Sequence, residues 1–252
     1  MKLVTAISFA LVGCSAVPLR ERPAIALPSQ VTQRGETVYF GSSFPLKTTS
    51  EQPTFIYERR VDAQAAAVVS THITREPSGA IAIVESATHS ADYALADYTL
   101  FANQLGQTGS IHVTPEQVTF TLGTEQGSKT QTEQNTGPVV VGPTLVGFVV
   151  RRLDALQAGK ALDVRFAVLD RLETIGFTLK AIDAPEGQAR VKMSASNFIF
   201  ALAIDPIIFT FDRATGKLVR LEGRVPPKVR SGNTWADFDA RVEYRFVADA
   251  YR

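Results

Sequence analysis

The chain has 252 residues, 45% of them hydrophobic, with 26 Lys and Arg against 25 Asp and Glu. Its basic residues fall in scattered pairs such as Arg59-Arg60 and Arg151-Arg152. Nucleic-acid binding needs a clustered positive excess, so nucleic acid is set aside as a partner. The one cysteine, Cys14, excludes a disulfide within the chain.

Lys2 is followed by eleven uncharged residues, 3–13. A secretory h-region spans roughly 7–15 residues and a membrane span needs about 20, so residues 1–13 read as a cleaved signal. Leu11-Val12-Gly13-Cys14 resembles the lipobox of bacterial lipoproteins. That resemblance implies cleavage before Cys14, a diacylglycerol thioether on its sulfur and an acyl chain on its nitrogen, which together make a stable anchor. By resemblance to Gram-negative lipoproteins, in which Asp after the cysteine retains the protein at the inner membrane, Ser15 implies the outer membrane facing the periplasm. The plain alternative is an ordinary secretory signal with a coincidental cysteine. Residues 138–150 are interrupted by Gly142, Pro143 and Gly147, and residues 197–211 by Asp205-Pro206, so both read as core rather than as membrane spans.

Residues 14–35 carry the lipidated cysteine and a tether punctuated by Pro18, Pro23 and Pro28. Twenty such residues reach ~60 Å as polyproline and ~25 Å as coil. Residues 36–252 fit one large β-rich domain. Strands are expected over 38–40, 55–61, 67–75, 80–86 and 93–105. Val118, Phe120 and Leu122 alternate with polar neighbours, as half-buried strands do. Residues 123–137 are polar throughout and read as a mobile hairpin or loop. A helix is expected over 143–158, with Pro143 in its first turn and Gly159 at its C-terminal cap. Strands follow over 162–168, 174–180 and 190–194. Residues 196–204 are apolar almost all round, so periodicity alone does not separate a short helix from a strand, and the sharp stop at Asp205-Pro206 favours the helix. Asp212 to Gly216 form a turn joining strands 207–211 and 217–223, and Val242, Tyr244 and Phe246 mark a last strand.

The fold class expected is mainly β (α+β): a single curved antiparallel sheet or half-barrel with one or two helices on its concave face, because an apolar sheet face must be covered. An apolar helix over 198–204, a strand over 207–211, the Phe211-Asp212 turn and a strand ending in Glu222-Gly223 make up a run within residues 160–225. It resembles an uncharacterised proteobacterial envelope family, and the whole arrangement resembles the half-barrel carriers and receptors of the Lol system. The resemblance implies an envelope lipoprotein of binding or scaffolding type. Its partners would be the membrane through the anchor, an apolar ligand such as an acyl chain, and an envelope protein. Candidate cavity residues are Phe148, Phe166, Phe177, Phe198, Phe200 and Phe209, each with ordinary core as its plainer role.

Chemistry is sparse. His72, His89 and His112 lie at no metal-ligand spacing, and no further cysteine joins them. His72 shares a strand face with Ser70 and Thr74 that reads as solvated, His89 falls in a turn, and His112 sits at a strand edge. Gly-x-Ser-x-Gly and the phosphate-cradling glycine patterns are absent. Asp237 and Asp239 flank Phe238 without the further ligands of a calcium loop. Asp205 reads as a helix stop or as a polar handle at the mouth of an apolar cavity. No catalytic residue, metal or cofactor is therefore expected. The alternatives are an envelope hydrolase acting on glycan or peptide, and a purely structural envelope protein with a fully packed core.

Overall fold

The computed structural model describes residues 17–18, 25–64, 67–197, 201–202 and 204–248. Within the segment read as a tether, β1 (Val17–Pro18) pairs with a later strand and α1 (Ser29–Gln33) is a short helix. From β2 (Glu36–Pro45) the chain meanders through β3 (Phe55–Ala63), β4 (Val68–Arg75), β5 (Ile81–His89) and β6 (Leu95–Ala102). It continues through β7 (Gln107–Val113), β8 (Gln117–Thr124) and β9 (Gly127–Gln134). The polar stretch 123–137 is thus a hairpin, with its second strand exposed along an outer edge.

The chain then crosses to the opposite edge. There β10 (Val139–Val140), α2 (Gly142–Val150) and α3 (Leu153–Gln157) precede β11 (Leu162–Val168). A second meander runs through β12 (Glu173–Ile182), β13 (Gln188–Ala195), β14 (Ile207–Asp212), β15 (Leu218–Ser231) and β16 (Thr234–Phe246). Strand β16 pairs with β2, so the two meanders form one sheet running from β10 to β9. Every neighbouring pair is antiparallel except β10 and β11. The protein is mainly β, built on one large, curved, open sheet.

A sheet this wide cannot stay flat. Register breaks at Thr37/Tyr39, Thr74/Arg75 and Thr88/His89 add local twist and bend it. The curl brings the two ends near each other. Glu133 of β9 accepts the backbone N–H of Thr174 in β12 at 3.1 Å, and its hydroxyl as well. Leu169, in the 3-10 turn after β11, lies so close over Gly109 of β7 that a Cβ there would sit 2.0 Å from Leu169 Cδ2.

The expected helix over 143–158 is two helices. Helix α2 is buried along most of its length, while α3 buries only Leu153 and Leu156. Between them the Arg152 guanidinium bonds back to the Phe148 carbonyl at 3.3 Å and lies 3.8 Å from the Phe148 ring centroid, turning the chain. Gly159 closes α3 at φ +90°, a conformation open to glycine. Of the second expected helix, residues 201 and 202 are helical and Leu202 is 75% exposed. The concave face is covered by α2 and by a bulge in β15, whose register breaks between Val225 and Lys228 at Pro226-Pro227. Proline has no N–H for the ladder and is confined to such breaks. The Gln104 side chain repairs this one, accepting from Lys228 N–H and donating to Lys228 O, both at 2.9 Å. Among the described residues no helix is long and apolar enough to cross a membrane.

Candidate functional site

The register places Arg59 of β3, His72 of β4 and Glu85 of β5 directly opposite one another. Cross-strand partners share a face with Cβ atoms about 4.5–5.5 Å apart, so the three form a row. Helix α2 lies over that row: Arg59 Nη1 donates to the Pro143 carbonyl at 2.7 Å. Arg59 is fully buried, and its guanidinium organises the surrounding groups.

Because arginine can only donate, its bond to His72 fixes the tautomer of that histidine. Arg59 Nη1 donates to His72 Nε2 at 2.8 Å, so the His72 proton sits on Nδ1. Arg59 Nη2 donates to Ser70 Oγ at 2.9 Å, and Ser70 Oγ lies 2.8 Å from His89 Nε2. His89 Nδ1 lies 2.7 Å from the Ser90 carbonyl, which only accepts, so His89 carries its proton on Nδ1 and takes the Ser70 proton at Nε2. Every bond therefore points one way, from Arg59 outward. Burial pushes both histidines below their ordinary range, and the Arg59 charge pushes His72 further, so both are neutral.

Tyr93 stacks on His89 with ring centroids 4.7 Å apart and has positive φ, 63°. Its ring occupies the space a side chain at Gly147 of α2 would need, with Cε1 2.0 Å from an ideal Cβ. That glycine is what lets the helix settle over the polar row.

Glu85 Oε1 accepts the Tyr98 hydroxyl at 3.0 Å. Burial raises the carboxyl from its ordinary 4.5 to about 7, with the Tyr98 bond pulling the other way. A Cβ at Gly142 would lie 3.0 Å from Oε1, so the start of α2 approaches the carboxyl closely only because that residue is glycine.

Two hollows meet at Glu85. One, about 90 Å³, lies among Tyr57, His72, Thr74, Leu145, Val146 and Phe209. The other, about 260 Å³, lies among Tyr98, Leu100, Leu105, Phe166, Phe177 and Ile204. Glu85, Ile207, Arg224, Val225 and Pro226 border both. The result is a largely apolar space under α2 and the β15 bulge, with a small polar centre.

The chain is similar to the crystal structure of a beta-barrel-like protein of domain of unknown function DUF1849 from Brucella abortus. Sequence identity is 12% and the TM-score 0.45, covering 84% of this chain and 98% of that chain. No family model matches the chain, and no curated protein matches it.

Of the phenylalanines expected at a cavity, Phe166 and Phe177 border the larger hollow and Phe209 the smaller. Phe148 packs in the core between α2 and the sheet. Phe198, Phe200 and Cys14 lie outside the described residues. Two readings are corrected. His72, Ser70 and Thr74 are not on a solvated face, because α2 covers that face. His89 is likewise buried at the end of β5. His112 is exposed at a strand and pairs with Asp97 at 2.7 Å. Asp205 is exposed beside Ile204. Asp237 and Asp239 are occupied by ion pairs with Arg224, and Asp237 also with Lys228. Among the described residues no three His, Cys, Asp or Glu are placed to hold a metal. Glu85 had a signal of its own: it is the lone charge at the end of the apolar run Ile81, Ala82, Ile83, Val84.

Proposed function

We propose that the protein is an envelope lipoprotein, anchored through Cys14 at the outer membrane facing the periplasm, that holds an apolar ligand inside its curled sheet. The observation that carries this reading is the pair of adjoining, largely apolar hollows at Glu85, under α2 and the β15 bulge. A purely structural protein gains nothing from such space, since an unfilled hollow forfeits packing. The half-barrel resemblance to the Lol carriers supports the same reading.

A hydrolase would need its nucleophile open to substrate. Ser70 is bonded to His89 as a nucleophile is bonded to its base, but it is fully buried and also held by Arg59.

The test is mass spectrometry of lipid co-purified with the full-length chain, alongside an Ile207→Trp variant. Ile207 borders both hollows, so the larger ring fills their junction. Bound lipid in the wild type that the variant loses is the expected result. A wild type without lipid, unable to take up a pyrene-labelled hydrocarbon, would overturn the proposal.

A further inference from the structure

We propose that His72 and Glu85 together bind a single hydroxyl group, making the ligand of this cavity an uncharged apolar molecule with an alcohol head. The inference rests on the apolar-ligand reading above and specifies which ligand that cavity takes.

Three observations converge on it. His72 and Glu85 are directly opposed on adjacent strands and border the same hollow. His72 Nε2 is occupied by Arg59, which leaves Nδ1–H as a donor, and Glu85 Oε1 is occupied by Tyr98, which leaves Oε2. Neither His72 Nδ1 nor Glu85 Oε2 forms a hydrogen bond among the described residues, and both side chains line the same hollow. The surrounding wall is apolar (Leu145, Val146, Phe209 and Leu221), which suits the hydrocarbon body of such a ligand.

The charges select the head. A carboxylate ligand would meet the Glu85 carboxyl at close range, so one of the two would have to stay protonated, and Arg224, the cation on this wall, is already engaged by Asp237 and Asp239. An ammonium would leave His72 Nδ1–H without an acceptor and would approach the imidazole that already carries the Arg59 guanidinium on its other nitrogen. A hydroxyl has two lone pairs and one proton. It accepts from His72 Nδ1–H, and it either accepts from Glu85 when that carboxyl is protonated or donates to it when ionised. Burial holds Glu85 near the point where both forms occur at neutral pH. The hydroxyl is thus matched to either state.

The experiment uses the full-length chain in a fluorinated surfactant that does not mix with hydrocarbon. Four pyrene-labelled probes of one chain length are titrated at neutral pH: a hydrocarbon, a primary alcohol, a carboxylic acid and a primary amine. Two net hydrogen bonds predict an alcohol bound about 10-fold tighter than the hydrocarbon, with the acid and amine both weaker than the alcohol. His72→Phe and Glu85→Leu should each bring the alcohol close to the hydrocarbon, while Glu85→Gln, which can still donate and accept, keeps most of the preference. Hydrocarbon binding by each variant shows that its cavity is still formed. Equal binding of all four probes, or tightest binding of the acid or amine, overturns the hydroxyl site and leaves the apolar-ligand reading standing. Binding of none of them by the wild type overturns both.

Discussion

Replacing Glu85 by glutamine keeps the shape of the side chain and its acceptor for Tyr98, and removes only the titration. In the folded protein the carboxyl holds its proton up to about 7, against 4.5 for the ordinary group. Between those values the folded state binds a proton that the unfolded state has lost, so stability falls as pH rises. The contribution is fully present below 4.5 and disappears as pH passes 7. Each pH unit separating the folded and unfolded titrations is worth about 1.36 kcal/mol, so the fall between about pH 5 and pH 8 is about 2–3 kcal/mol.

The groups around Glu85 complicate the raw curve. Tyr98 stays protonated throughout, raised by burial and then by Glu85 itself. His72 and His89 act in the opposite sense: being neutral in the fold, they cost stability as pH falls below their unfolded value of about 6.5. Arg59, beside the row, and Arg224, on the wall of the cavity, keep their charge across this range. All of these are shared by wild type and variant. Urea unfolding of both proteins at half-unit steps from pH 5 to pH 8 therefore isolates Glu85 in the difference. The stability of Glu85→Gln relative to wild type should climb by about 2–3 kcal/mol across the series. A difference flat to within about 0.5 kcal/mol would show that the carboxyl titrates as in water, and the buried, cavity-facing placement would fall.

Arg59→Ala removes three hydrogen bonds from a buried guanidinium, and should cost at least about 3 kcal/mol in denaturant unfolding while freeing the start of α2. Gly147→Val drives a side chain into the Tyr93 ring, with an expected loss of about 1–3 kcal/mol. That loss should shrink when Tyr93 is also shortened to Ala, as a double-mutant cycle would show. Phe209→Ala should cost about 3–5 kcal/mol if its ring is packed as tightly as its full burial indicates. A loss well below that range would mean that the adjoining hollow extends around the ring. Cys14→Ser should abolish incorporation of labelled palmitate, and labelling that persists would remove the anchor from the proposal.

The strands were legible because antiparallel strands with one wet face write a period of two into the chain. Val191 and Met193 alternating with Arg190, Lys192 and Ser194 became β13 as read, and Asp212 to Gly216 became a turn, with Asp212 Oδ1 taking the Thr215 N–H at 2.8 Å. The same rule failed for Ser70, His72 and Thr74. Alternation says which residues share a face, and it places water on the polar one by default. In a curled sheet the polar face can be the covered one, and only the path of the chain through β10 and α2 brings Pro143 and Gly142 down onto it. Arg59, His72 and Glu85 are far apart in sequence, and no local pattern records that three strands align them. The sequence by itself determined the strands, the turns and the need for a cover. Tertiary structure alone decided which residues were covered, because burial of a polar group depends on bonds made across the fold rather than along it.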